Sequence, residues 1–232
     1  TMDPDGALRI GPMTSFSHAT NSPLLQQYMP VLGESADTAG GPQLRSIGTL
    51  GGNICNGVTS ADTASTQVAY DAMLEITSAS GMRKLSIHDF YKGPGKVDLQ
   101  PGELLTAILI PKESYENCFG VYIKYAMRNA MDIATIGCSV NIVLSADKKT
   151  LQRVRIAYGV AGPVPSRART AEAALNGMPV GEAAIAAIGE EVLKDVNPRT
   201  SWRATAEFRK QIISETARRG LKAAIERAGG VF

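Results

Sequence analysis

The chain has 232 residues, with 24 Lys and Arg against 22 Asp and Glu for a formal net charge of +2, and 44% of its residues are hydrophobic. That length accommodates one large or two modest domains, each with its own core, and the near-balanced charge gives no electrostatic case for a nucleic-acid or membrane-surface partner. No run of about 18 apolar residues exists to span a bilayer and no charged-then-apolar leader opens the chain, so a cytoplasmic location is expected.

In chain order, residues 7–10 read as a short strand. Ser22 and Pro23 supply the N-cap and first-turn proline of a helix that Pro30 limits, and a second short helix is expected from Val31 toward Thr38, ended by Gly40 and Gly41. Residues 45–62 then form a polar, glycine-rich loop. Gly48, Gly51 and Gly52 permit positive φ and close approach to a ligand, while Thr49, Asn53, Asn56, Thr59 and Ser60 carry short hydrogen-bonding side chains. Successive N–H groups in such a turn make an anion-binding concavity, so a phosphate is one natural ligand; a plain polar connection is the alternative. The segment matches neither the dinucleotide fingerprint nor the nucleoside-triphosphate loop. Next come a helix over 63–72 with Asp62 as its N-cap, a hairpin of 73–77 and 83–86 about the turn at 78–81, a flexible basic loop at 91–96, and a strand over 103–110 closed by Pro111.

From Phe119 the pattern alternates strictly. Phe119, Val121, Ile123, Tyr125 and Met127 fall on one face of a half-buried strand, with Gly120, Tyr122, Lys124, Ala126 and Arg128 on the other. The same period recurs over 134–144 and 154–158, joined by a tight connection at 147–149, which predicts a three-stranded antiparallel sheet. Helices follow at 170–175 and 182–194, and a longer one begins near Trp202 and runs toward Ala228. Trp202, Arg203 and Phe208 are expected to anchor it to the sheet. Helices packed on an antiparallel sheet make the fold class α+β. A boundary within 111–117 divides the chain into domains at 1–112 and 118–232.

The isolated side chains say less. Cys55, Cys118 and Cys138 are too few and scattered for an iron–sulfur cluster, a zinc site or a disulfide framework. His18 and His88 lack partners at ligand spacing, so no metal site is expected. Cys55, inside the glycine-rich stretch, reads as a small buried apolar residue. Lys124 and Arg128 are either solvated cations at a sheet surface or face a ligand together. Asp132 either terminates a turn or lines a site. The basic residues of the last helix read as a solvated or subunit-facing surface.

Thr49-Leu50-Gly51-Gly52-Asn53, continued by Thr59-Ser60-Ala61-Asp62, resembles the second FAD-binding motif of the flavoprotein subunits of molybdenum hydroxylases. Pro101-Gly102-Glu103-Leu104-Leu105, Lys124-Tyr125-Ala126-Met127-Arg128, Met131-Asp132-Ile133-Ala134 and Ser201-Trp202-Arg203-Ala204 resemble the same family in order. The likeness spans essentially the whole chain, and within the family it is most like the separate FAD subunits of bacterial xanthine dehydrogenases.

The resemblance implies part of a FAD-binding domain of the para-cresol-methylhydroxylase type over 1–112, followed by a flavoprotein C-terminal domain of the carbon monoxide dehydrogenase type over 118–232. Thr49, Leu50, Gly51, Gly52 and Asn53 would hold FAD by main-chain and amide hydrogen bonds, with Asp62, Leu105 and Lys124 completing the shell. No catalytic residue and no metal ligand is implied on this chain. The partners implied are a molybdenum-binding subunit with the molybdenum cofactor, where a purine is hydroxylated, and an iron–sulfur subunit with 2Fe-2S clusters. Electrons would pass through FAD to NAD or another acceptor. Ala39 stands where the family has a larger apolar FAD contact, and Asn129-Ala130-Met131 replaces a charged run near the flavin's reactive face in animal enzymes, so the acceptor stays open. The family's upstream Gly-Gly-Thr-type loop does not occur, which leads to the expectation that the chain is a fragment holding half of the FAD site. The rival readings are the flavoprotein subunit of a carbon monoxide dehydrogenase or aldehyde oxidoreductase, and a non-enzymatic anion-binding or scaffold module.

Overall fold

Strand β1 (Leu8–Ile10) leads into six short helices: α1 (Phe16–Asn21), α2 (Pro23–Tyr28), α3 (Pro30–Asp37), α4 (Pro42–Ile47), α5 (Leu50–Cys55) and α6 (Ala64–Ala69), in a computed structural model that describes residues 1–231. Pro23, Pro30 and Pro42 open α2, α3 and α4, where the missing N–H is one that the helix would leave unpaired anyway. Ser15, Ser22 and Thr49 cap α1, α2 and α5, each side-chain oxygen accepting a backbone N–H bond. Half of the stretch expected as a glycine-rich loop, residues 45–47 and 50–55, is therefore helical. Its glycines conceal a helix that starts because Thr49 is a good N-cap.

Next come β2 (Met73–Ser78), β3 (Gly81–Ser86), α7 (Ile87–Phe90), β4 (Tyr91–Gly93), β5 (Lys96–Val97) and β6 (Leu104–Ile110). The first sheet runs β1-β6-β2-β3, antiparallel throughout. Residues 91–96, expected as a flexible loop, instead form most of the β4-β5 hairpin, which turns at Gly95 with φ 70°.

Beyond α8 (Lys112–Tyr115) lie β7 (Phe119–Tyr125), β8 (Ile136–Leu144), β9 (Leu151–Gly159), β10 (Ser166–Arg167), α9 (Arg169–Leu175), α10 (Glu182–Glu191) and α11 (Ala206–Arg227). The second sheet has the order β10-β9-β8-β7. Its three expected strands gain a short fourth, β10, and the α+β class stands. No helix among the described residues is long and apolar enough to cross a membrane.

The apolar face of this sheet, with Val121, Cys138, Val140, Ile142, Val154 and Ile156, packs on Ile213, Ala217, Leu221 and Ala224 of α11. Gly220 lets the helix approach, since a Cβ there would lie 2.7 Å from Val140. Trp202 is not an anchor: it is 78% exposed, with the Arg203 guanidinium 4.2 Å over its ring, and α11 starts only at Ala206. Phe208 does meet the sheet, its ring edge-on to Tyr125 of β7 at 5.9 Å, and Arg209 ties the helix further, being buried and donating to the Thr135 carbonyl and the Ser201 hydroxyl.

The other face of the sheet was expected to be its polar, exposed side. It is buried as well, with Tyr122, Ser139, Asn141 and Ala157 all buried and packed toward α3 and α6. Gly120 is small because Tyr70 and Val31 come within 3.0 Å of where its Cβ would be. At the same seam Asp71 gathers partners from both halves of the chain: the guanidinium groups of Arg155 at 2.9 Å and Arg167 at 2.5 Å, and the His88 ring at 2.7 Å. Arg167 also forks onto Glu172 at 2.6 and 2.5 Å.

Candidate functional site

The Thr49–Asn53 motif is held mainly by the chain itself. Leu50 N–H donates to the Thr14 carbonyl at 2.9 Å, Gly51 N–H to the Pro12 carbonyl at 2.9 Å, and Gly52 N–H to Thr49 Oγ1 at 3.1 Å. Asn53 N–H bonds the Thr49 carbonyl at 2.9 Å. These four amides are committed to the cap and to the segment before α1. Gly51 is a packing requirement, since a Cβ there would sit 2.5 Å from Pro12 Cβ and 2.7 Å from its carbonyl oxygen. Gly51→Ala should destabilise the protein by up to about 2 kcal/mol, because crowding that costs about 1–3 kcal/mol against backbone is offset only in part by a helix-propensity gain of about 1 kcal/mol. Urea denaturation measures the difference.

Three groups of the motif stay available. Gly52 is exposed, and the Thr49 hydroxyl accepts the cap bond while keeping its own proton to donate. Asn53 Oδ1 accepts from the N–H of Thr63 at 3.2 Å and from its hydroxyl at 2.7 Å, pinning the turn between α5 and α6. Asn53 Nδ2 has no protein partner among the described residues.

Asp62 does not cap α6. That position falls to Thr63, which makes no side-chain cap bond, while the Asp62 carboxylate turns to β7. Lys124 Nζ donates to Asp62 Oδ2 at 3.0 Å and to the Thr38 carbonyl at 2.9 Å. Tyr122, two residues before Lys124 on the same strand face, donates to Asp62 Oδ1 at 3.3 Å. The Asp62 and Lys124 side chains are only 12% and 9% exposed, so Lys124 is not a solvated surface cation. Burial pushes the Asp62 carboxyl above its ordinary range against the opposing pull of Lys124 and Tyr122, and burial raises the Tyr122 phenol well above its usual value.

An ammonium group has three donors. Two are spent on Asp62 and Thr38, and Lys124 lines a cavity of about 580 Å³ whose walls include Asp37, Arg45, Arg128, Met131 and Asp132. Arg45 bonds Asp37 at 3.2 Å and reaches the carbonyls of Ala39 and Gly40. Asp132 closes its turn by accepting the N–H groups of Arg128 and Ile133 at 3.0 and 2.8 Å. Burial alone would raise this carboxyl, but these backbone bonds hold it below its ordinary range. Met131, at φ 52°, lies over Gly41, where a Cβ would meet its sulfur at 3.2 Å. Arg128 does not share the face of Lys124, because β7 ends at Tyr125.

The predicted residues thus fall into three places. Of them only Lys124 lines the cavity; Asn53 bonds Thr63, the residue after Asp62, and Thr49 to Gly52 form the cap and first turn of α5. Leu105 stands apart from the cavity, buried in the first core on β6, which packs on α5; its neighbour Leu104 is 70% exposed. Tyr122 and Thr38 escaped notice in the sequence. The shared parity of Tyr122 with Lys124 was the available signal, whereas nothing local marks a helix-end carbonyl as a lysine acceptor. Cys55 is half-buried, and burial raises its thiol pKa, which suits its reading as a packing residue. The spare ammonium donor of Lys124, the unused amide of Asn53 and the Cβ-free surface at Gly52 suit FAD, which carries both acceptor-rich ring edges and an anionic pyrophosphate.

Residues 1–113 match the family described as FAD binding domain in molybdopterin dehydrogenase, and residues 121–224 match the CO dehydrogenase flavoprotein C-terminal domain. The chain is 44% identical over 230 residues to the putative xanthine dehydrogenase FAD-binding subunit of Escherichia coli K12, an alignment covering 99% of this chain and 78% of that relative. It belongs to the family of FAD-binding subunits of molybdopterin dehydrogenases. Within this family it is also 27% identical to the carbon monoxide dehydrogenase medium chain of Hydrogenophaga pseudoflava, over 93% of this chain and 74% of the relative. A solved carbon monoxide dehydrogenase structure from the same organism superposes with a TM-score of 0.91 at 28% identity, covering 98% of this chain and 77% of that one. The flavoprotein expectation drawn from the motif therefore holds, and the scaffold reading falls away.

Proposed function

We propose that this chain carries FAD in a xanthine dehydrogenase-like molybdenum hydroxylase and relays electrons from an iron–sulfur partner subunit to NAD or another acceptor. Purine hydroxylation belongs, on this reading, to a molybdenum-binding partner subunit. FAD supplies redox chemistry that no side chain here offers. The observation that carries the reading is the buried junction of Asp62, Lys124 and the Thr38 carbonyl at the cavity edge, in a chain of this family. Thr49 to Gly52 provide a rigid, close-approach surface, and Asn53 offers its Nδ2. Leu105 lies in the core on β6, the strand that packs on α5. Lys124 keeps a positive charge in a poorly solvated place, where it favours negative charge added to a neighbouring group. Asp62 holds that charge in position and offsets the cost of burying it.

The test is anaerobic reduction of the enzyme assembled with its molybdenum and iron–sulfur subunits. Xanthine is expected to bleach the flavin's visible absorption together with that of the clusters, and NAD or another acceptor to restore it. Clusters that reduce while the flavin stays oxidised would contradict the proposed relay.

A further inference from the structure

Lys124 lines the cavity, yet its aim is set from behind. The Asp62 carboxylate uses one oxygen on Lys124 Nζ at 3.0 Å and the other on the Tyr122 hydroxyl at 3.3 Å. Tyr122 is 9% exposed, and the place of its hydroxyl is reserved by glycine: a Cβ on Gly137, which pairs with Lys124 across β7 and β8, would lie 2.8 Å from that oxygen. A phenylalanine would fill the same space without the bond. The hydroxyl therefore stops the carboxylate from turning away from the ammonium, a task that ring packing alone does not do.

We propose that Tyr122 is a positioning residue for the flavin site, acting through Asp62 to hold the Lys124 ammonium at the cavity. The inference rests on the flavin reading above and adds a residue to it. The groups that face the carboxylate are Lys124 and Tyr122 from β7, with the Cys138 thiol of β8 beside the Tyr122 phenol. Asp37, Arg45, Arg128 and Asp132 stand around the cavity beyond Lys124. A donated hydrogen bond stabilises the charged carboxylate, so removing it raises the Asp62 pKa further. Protonation of Asp62 then releases Lys124 at a higher pH than in the wild type.

The experiment is FAD titration of the full chain across pH, for wild type, Tyr122→Phe and Asp62→Asn, with thermal unfolding of each flavin-free protein alongside. Tyr122→Phe should bind FAD about fivefold more weakly at neutral pH, as loss of one hydrogen bond predicts. The acid limb of its binding curve should move to higher pH. Asp62→Asn should weaken binding more and lose the Asp62 component of that limb. A Tyr122→Phe protein with unchanged affinity and an unmoved acid limb would overturn the positioning role, as would an acid limb identical in wild type and Asp62→Asn. Failure of the wild type to bind FAD at any pH would overturn the flavin reading itself, and the positioning role with it.

Discussion

Lys124→Ala is expected to lower stability by about 3 kcal/mol and FAD affinity by about tenfold to a hundredfold. The substitution strands the Asp62 carboxylate, 12% exposed, and removes the hydrogen bond to the Thr38 carbonyl. Breaking a buried ion pair on one side costs about 3–5 kcal/mol, and the surviving Tyr122 bond places the expectation at the low end. The affinity loss corresponds to one charge-assisted hydrogen bond of about 1.5–3 kcal/mol. Burial already raises the Asp62 carboxyl pKa, and without Lys124 it rises further, so protonation relieves the stranded charge. The deficit should therefore shrink as pH falls through the range where Asp62 protonates. Urea denaturation across pH checks this. The double variant Asp62→Asn with Lys124→Met should recover most of the stability and none of the affinity, which separates the fold role of the pair from its ligand role. A Lys124→Ala protein as stable as wild type at neutral pH would contradict the buried junction.

Asp71→Ala should cost about 2–4 kcal/mol for a different reason. Its carboxylate, 29% exposed, accepts bonds from Arg155 and Arg167, which are 12% and 9% exposed, and contacts His88. Removing it leaves the Arg155 guanidinium buried beside Arg153 and Arg167, whose charges already act against it. The range is discounted from the about 3–5 kcal/mol of a fully buried pair because Asp71 is partly solvated. Burial pushes the Asp71 carboxyl up, but the His88 hydrogen bond and the charges of Arg167 and Arg155 outweigh it and hold it well below the ordinary range. A depressed carboxyl contributes its stability above the unfolded value of about 3.9 and loses it as pH falls toward the folded value. The gap between wild type and Asp71→Ala is thus expected to be full near neutrality and to close only in strong acid. Acid denaturation curves that stay parallel to the lowest pH would contradict the network.

The strand pattern was legible because period two is a backbone property. The alternation from Phe119 marked β7, and the hairpin of β2 and β3 fell where its turn residues lay. The motif at Thr49 was legible as a family landmark but not as a helix, since glycine content masked the cap and the i→i+4 bonds of α5. Burial of the second face of β7 was not legible either. Tyr122, Lys124 and Gly120 look like an exposed face until α3 and α6, distant in sequence, are packed on them. The misplaced cap at Asp62 has the same origin. Locally an aspartate before a helix is a cap, and only the fold brings an ammonium from β7 within 3.0 Å of it. Arg209 took the anchoring role expected of Trp202 because a buried guanidinium can bond the Thr135 carbonyl and Ser201 together, whereas the indole lies outside the packed face of α11.

The most direct test of the central claim, that this chain holds FAD at the Asp62–Lys124 junction, is a titration of flavin-free protein with FAD followed by difference absorption, beside Lys124→Met. Saturable one-to-one binding by the wild type, with a shifted flavin band and markedly weaker binding by Lys124→Met, is the predicted result. A wild-type titration without saturation, or equal affinity in the two proteins, would contradict it.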